Sequence, residues 1–150
     1  MIFNLGGYEL RPNDRLSELK KKDIQWHIVR NKGTYLTVPI IDAYFLKDEK
    51  RYSGYAQCDF VPLPDGDYVL SAAHFIYSDG LDEMLRIPKR EYQDRRFEKS
   101  CEIAKELLGE PDDETENKIV YQFDGWRIEC EKFFNGPRIY QGGWLDAIFV

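Results

Sequence analysis

The chain has no apolar run long enough to cross a bilayer as a helix, only two histidines and three cysteines, and no surplus of basic charge. Each shortage removes a class of function. A spanning helix needs about 20 mostly apolar residues, so no membrane partner is expected. His27 and His74 stand far apart, and Cys58, Cys101 and Cys130 form neither a close pair nor a zinc-ligand spacing, so no metal site is expected. An odd number of cysteines also suits free thiols better than a disulfide framework. The formal net charge is -6, the wrong sign for a general nucleic-acid binder, whose affinity rests on Lys and Arg against phosphate. No serine stands in a nucleophile-elbow sequence. Gly142-Gly143 precedes an apparent strand instead of a helix, the wrong context for a phosphate cradle, and no cofactor is expected. The opening MIFNLGGYELR lacks the charged start and long apolar centre of a signal peptide, which makes a cytoplasmic location the expectation.

Aromatic residues are abundant. They make up 15% of the chain, with 10 tyrosines, and hydrophobic residues make up 43%. That content argues against disorder and favours strands, where aromatic side chains pack across a pleated surface. A chain of 150 residues buries roughly two-thirds of its unfolded surface, enough for one core, so a single domain over residues 1–150 is expected.

The segment from Pro88 to Pro111 has the clearest helical pattern. On a helical wheel Phe97 lies beside Gln93, Ser100, Cys101, Ala104 and Leu108, with Tyr92, Ile103 and Leu107 on one flank. Glu91, Arg95, Glu98, Lys99, Glu102, Lys105 and Glu106 take the other side. Pro88 suits a first turn, Gly109 a left-handed cap, and Pro111 stops continuation. The segment spans roughly 30 Å at the usual helical rise, enough to cross several strands. Cys101 falls in the apolar stripe and reads as a packed, inert thiol.

Elsewhere the period is two. Asn13 or Asp14 can cap a short helix through Lys21, with Leu16 and Leu19 facing inward. Ile24, Trp26 and Ile28, then Leu36, Val38 and Ile40, form a hairpin about Asn31-Lys32-Gly33, with Pro39 requiring an edge or a bulge. Further strands are expected from Tyr52 to Leu63 and from Tyr68 to Tyr77, around Pro64-Asp65-Gly66-Asp67. Asp112 to Asn117 reads as a solvated acidic loop. A meander follows through Ile119–Phe123 and Trp126–Cys130, turning at Asp124-Gly125 and again at Asn135-Gly136-Pro137, and Trp144 to Val150 is a final strand buried in the sheet. Hairpins separated by isolated helices predict an α+β fold: a mainly antiparallel sheet of about six to eight strands packed against one long amphipathic helix and one short one.

Three groupings invite a functional reading. Asp112, Asp113, Glu114 and Glu116 cluster with no intervening base, and Asp79, Asp82 and Glu83 gather near a turn, so both groups are candidates for contact with a charged protein partner. The second group lacks the ligand spacing of a calcium loop. Cys58 and His74 come nearly opposite in the predicted hairpin. A two-residue loop sets Cys58 against Ala73 and His74 against Gln57, on opposite faces, whereas a three-residue loop sets them side by side as a nucleophile and base, with Asp59 or Asp42 as a third, orienting group. Trp26, Tyr44, Tyr55, Phe75, Trp126 and Trp144 are able to line a concave small-molecule pocket or to pack as core.

Leu107-Leu108-Gly109-Glu110-Pro111, the acidic segment after it, and Tyr121-Gln122-Phe123-Asp124-Gly125-Trp126-Arg127-Ile128 resemble small bacterial immunity proteins of polymorphic and contact-dependent toxin systems. The opening Phe3-Asn4-Leu5-Gly6-Gly7-Tyr8-Glu9-Leu10 is similar to their amino termini. The resemblance covers about a third of the chain and transfers no functional residue. It implies a non-catalytic, cytoplasmic inhibitor of a basic toxin domain, brought to its partner by complementary charge. The alternatives are a small-molecule-binding or enzymatic domain using the aromatic sheet face with Cys58 and His74, and a structural subunit whose last apolar strand completes a partner's sheet.

Overall fold

A computed structural model describes residues 2–5, 8–22, 30–32, 35–47, 49–77, 89–133 and 142–149. In chain order the elements are β1 (Ile2–Leu5), β2 (Tyr8–Glu9), α1 (Leu16–Leu19), β3 (Arg30–Lys32), β4 (Tyr35–Lys47), β5 (Lys50–Pro62), β6 (Tyr68–Tyr77), α2 (Lys89–Leu108), β7 (Asp113–Thr115), β8 (Lys118–Phe123), β9 (Trp126–Glu131) and β10 (Leu145–Phe149). The fold is α+β, with every strand pair antiparallel. The strands form one 10-stranded sheet in the order β2-β1-β4-β5-β6-β10-β9-β8-β7, with β3 attached to β4.

The carboxy-terminal strand joins the two halves of this sheet. β10 lies between β6 and β9, pairing Leu145 with Phe75 on one side and with Cys130 on the other. Both of its edges are occupied, so it is not available to complete the sheet of another subunit. Alternation then sorts the side chains. Cys58, Ala73, Phe75, Leu145, Ala147, Ile128, Cys130 and Ile119 share one face and one buried core with Leu16 and Leu19 of α1 and Phe97, Ile103, Ala104 and Leu107 of α2. Glu91, Arg95, Glu98, Glu102 and Glu106 remain exposed on the outer side of α2. Burying large side chains such as Phe97, Ile103 and Leu107 contributes about 1.5–3 kcal/mol each, so packing holds this helix more than helix propensity does.

Polar ties fix where α2 sits. Gln93 Nε2 donates to the Lys132 carbonyl at 2.7 Å, Ser100 Oγ donates to the Gly143 carbonyl, and Tyr121 Oη donates to the Gly109 carbonyl at 2.8 Å. Gly143 has φ +73, and a Cβ there would stand 2.7 Å from the Phe97 backbone nitrogen. Only glycine allows both the left-handed turn and the close approach of α2. Gly109, with φ +82, ends the helix as its sequence position predicts; Pro88 lies outside the described residues.

Several local expectations change. α1 is a single turn, and Arg15 at its amino-terminal cap makes no side-chain capping bond. Asp14 instead closes the turn before it, accepting from the Arg11 backbone N–H at 2.8 Å and from the Tyr8 hydroxyl at 3.1 Å. Leu16 and Leu19 do face inward, and Lys20, Lys21 and Lys22 follow the helix as an exposed run. α1 is pinned to the β5–β6 turn by Arg15–Asp65 at 2.6 Å and by Ser17 Oγ donating to Asp67 at 2.5 Å. β3 and β4 pair as a hairpin, but Asn31 and Lys32, expected in its turn, are strand residues opposite Leu36 and Tyr35; Ile24, Trp26 and Ile28 lie outside the described residues. Pro39 falls between the stretches of β4 paired with β3 and with β1, next to a register shift at Ile40/Ala43, where a missing N–H is tolerated. The acidic segment is not all loop: Asp113–Thr115 forms a strand that pairs with β8. The second meander turn, Asn135-Gly136-Pro137, lies outside the described residues.

Candidate functional site

β7 ends the strand order, and among the described residues it pairs with β8 alone. Its turn into β8 is tied by Thr115, whose Oγ1 accepts from the Asn117 N–H at 3.3 Å. Asp112, Asp113, Glu114 and Glu116 are all exposed. They are not equivalent, however. Asp112 Oδ2 accepts from the Gln122 backbone N–H at 2.7 Å, and Glu114 pairs with Lys105 of α2 at 2.6 Å. The cluster lacks an intervening base in sequence, but the helix supplies one in space. No hydrogen bond or ion pair joins the side chain of Asp113 or of Glu116 to another described residue, so those two acids carry the outward charge of this edge. Asp79, Asp82 and Glu83, the other acidic candidates, lie outside the described residues.

The register decides against a Cys58–His74 pair. Cys58 is opposite Ala73, and His74 is opposite Gln57, which places thiol and imidazole on opposite faces. This is the pairing of the two-residue-loop reading, reached by another route. The strand pairing at the turn ends at Pro62↔Tyr68, and Ser71 is then accommodated as an extra residue between Leu70 and Ala72, restoring the register. Cys58 is fully buried, and burial pushes its thiol well above the ordinary range, the opposite of what a nucleophile needs.

His74 instead joins three strands. Its Nδ1 is 2.7 Å from Asp146 Oδ1 on β10, and its Nε2 is 2.7 Å from Asp59 Oδ2 on β5. Burial opposes charge on the imidazole, but hydrogen bonds and attraction from Asp146 and Asp59 outweigh it, and the pKa rises to about 9. At neutral pH the ring is therefore an imidazolium donating one proton to each carboxylate. The polar row continues across the sheet: Asp146 is opposite Glu129 of β9, which meets Arg127 Nε at 3.2 Å and Lys118 Nζ at 3.3 Å. With both ring nitrogens engaged, His74 offers no lone pair to a metal or substrate, and the cluster serves to tie β5, β6 and β10 together. Among the described residues no three His, Cys, Asp or Glu side chains are placed to hold a metal ion. Asp59 was visible as a possible partner of His74 from the sequence. Asp146 was not, although a single acid inside the apolar run Trp144–Val150 is the signal that marks it.

Of the residues of the predicted aromatic pocket, Phe75 and Trp144 are buried and Trp126 borders a cleft; the side chains of Tyr44 and Tyr55 and all of Trp26 lie outside the described residues. Trp126 stacks between Phe123 at 4.4 Å and Phe149 at 5.9 Å. With Phe149, Ala147, Leu10 and Pro12 it lines a cleft of about 140 Å³, rimmed by Glu9 and Arg11. Compared with protein-family models, curated proteins and solved structures, the chain has no match.

Proposed function

We propose that this chain is a toxin-neutralising protein of the immunity type, which acts in the cytoplasm by binding a basic toxin domain and performs no catalysis. The observation that carries the reading is the strand β7, exposed along its length at the end of the strand order among the described residues, with Asp113 on it and Glu116 in the turn after it both exposed. Charges on an edge strand discourage indiscriminate pairing with other sheets and favour a partner of opposite sign, speeding encounter and fixing register. The amphipathic helix and the longer strands are the scaffold that holds this edge, with Lys105 supporting Glu114 from behind. Among the described residues no helix is long and apolar enough to cross a membrane. The enzymatic alternative loses its central pair because Cys58 and His74 do not meet.

The test is co-expression with the variable carboxy-terminal domain of a toxin-like protein encoded in the adjacent upstream reading frame. The chain should restore growth, and the double variant Asp113→Lys/Glu116→Lys should restore it poorly while still folding. Absence of such a frame, or no rescue by the intact chain, removes the proposal; full rescue by the double variant removes this edge from it.

A further inference from the structure

Three aromatic rings end the core face of the sheet. Trp126 is directly opposite Phe123 on β8 and Phe149 on β10, and the rings stack at interplanar angles of 19° and 23°. Ile128, the next residue of β9 on that face, is buried, whereas Phe123 is 37% exposed and Trp126 and Phe149 are half-buried. The row therefore stands at the mouth of the core. One step inward from Phe149 is Ala147, opposite Ile128 and Ala73. Its single methyl leaves the floor low, and the cleft of about 140 Å³ opens above it.

The facing wall is the segment that follows β2. Leu10 is buried in the core, while Glu9 and Arg11 on either side of it are exposed; two residues of extended chain set them about 7 Å apart. This wall is fixed before any ligand arrives. Asp14 accepts from the Tyr8 hydroxyl at 3.1 Å and from the Arg11 N–H at 2.8 Å, and its carbonyl accepts from the Leu70 N–H of β6 at 2.9 Å. No hydrogen bond or ion pair joins the side chain of Glu9 or Arg11 to another described residue. A carboxylate and a guanidinium thus stand near each other at the rim, above apolar walls from Leu10, Pro12, Ala147, Trp126 and Phe149.

Volume and charge together choose the occupant. An apolar cavity of about 150 Å³ accommodates one benzene ring, so this cleft takes a single ring and not a fused system. A ligand bearing only a carboxylate meets repulsion from Glu9, and one bearing only an ammonium meets it from Arg11. An α-amino acid carries both charges on one carbon. We propose that the cleft binds a free aromatic amino acid of the phenylalanine type, with its ring against Trp126 and Phe149, its carboxylate on the Arg11 guanidinium and its ammonium on Glu9. Burial of the ring supplies most of the affinity, because exposed ion pairs add little; the two charges set the orientation. The proposal is independent of any toxin partner.

The deciding experiment titrates the native chain with L-phenylalanine, phenethylamine, phenylacetate and L-alanine, followed by calorimetry and by NMR. A ligand of about a dozen heavy atoms at ordinary efficiency binds at about millimolar concentration, so L-phenylalanine should saturate one site per chain in that range. Its largest shifts should fall on the Trp126 indole N–H and the Ala147 methyl. Phenethylamine and phenylacetate should each bind about two- to fivefold more weakly, the usual worth of an exposed ion pair, and L-alanine should not bind. Two surface variants then assign the charges. Arg11→Gln should weaken L-phenylalanine and leave phenethylamine unchanged or tighter; Glu9→Gln should weaken L-phenylalanine and leave phenylacetate unchanged or tighter. No saturable binding of L-phenylalanine overturns the proposal, as do equal binding of L-alanine, shifts centred away from Trp126 and Ala147, or variants that weaken all ligands alike. The titrations of the native chain stand whether or not the variants fold.

Discussion

Charge is handled in opposite ways at two places on this sheet. Around His74 the carboxylates of Asp59 and Asp146 are turned inward, and Asp146 is only 3% exposed in its side chain. At β7 the acids are turned outward, and Asp113 and Glu116 meet water instead of a described residue. The inner group must satisfy itself within the chain, because an unpaired buried charge is costly; its residues are therefore explained by the fold. The outer group costs the fold little and contributes little to it, so its excess of one sign is available to a partner. Burial, more than the presence of acids, separates the structural cluster from the proposed recognition surface in this molecule.

The largest effect should come from breaking the inner cluster. Asp146→Ala leaves the His74 imidazolium without its more buried partner and should cost about 3–5 kcal/mol in urea unfolding, as removal of one member of a buried pair does. A loss under about 1 kcal/mol would show the cluster to be solvated, and the contrast with β7 would disappear.

The pH dependence sharpens the same contrast. The folded pKa of His74, about 9, lies above its ordinary 6.5. Its contribution to stability is therefore complete below about 6.5 and is lost as pH rises through about 9, on the order of 3 kcal/mol in all. Unfolding curves between neutral pH and pH 10 should show this decline, and His74→Ala should flatten it. An equal decline in His74→Ala would assign it to other groups.

Substitutions at the outer group should be nearly silent in stability. Asp113→Lys with Glu116→Lys should shift unfolding by less than about 0.5 kcal/mol, the usual range for exposed positions. Smaller again in its effect on the fold is Lys105→Ala, which releases Glu114 from the ammonium 2.6 Å away. It should leave the unfolding midpoint in place and increase the rate of association with a basic partner; a slower rate would mean that Lys105 itself makes a contact.

Much of this arrangement was legible in the residue order where the causes are local. Gly109 ends α2, Asp124-Gly125 turns β8 into β9, and Leu16 with Leu19 faces the core, each for a reason contained within a few residues. What escaped is set by distant pairing. His74 and Asp146 are 72 positions apart, and they meet because β10 inserts between β6 and β9. Asp113–Thr115 has poor strand propensity, and its extended form comes from pairing with β8. The Cys58 register depended on a turn and a bulge whose offsets cancel, and side-chain period alone contains neither.

The most direct test of the outward-facing edge is the association rate of the chain with the proposed basic toxin domain, measured by stopped flow at increasing ionic strength. The native chain should slow severalfold between low and physiological salt, as electrostatically steered encounters do, and Asp113→Lys/Glu116→Lys should be slower at low salt and much less sensitive to it. Identical rates and salt slopes for the two proteins would contradict a recognition role for β7.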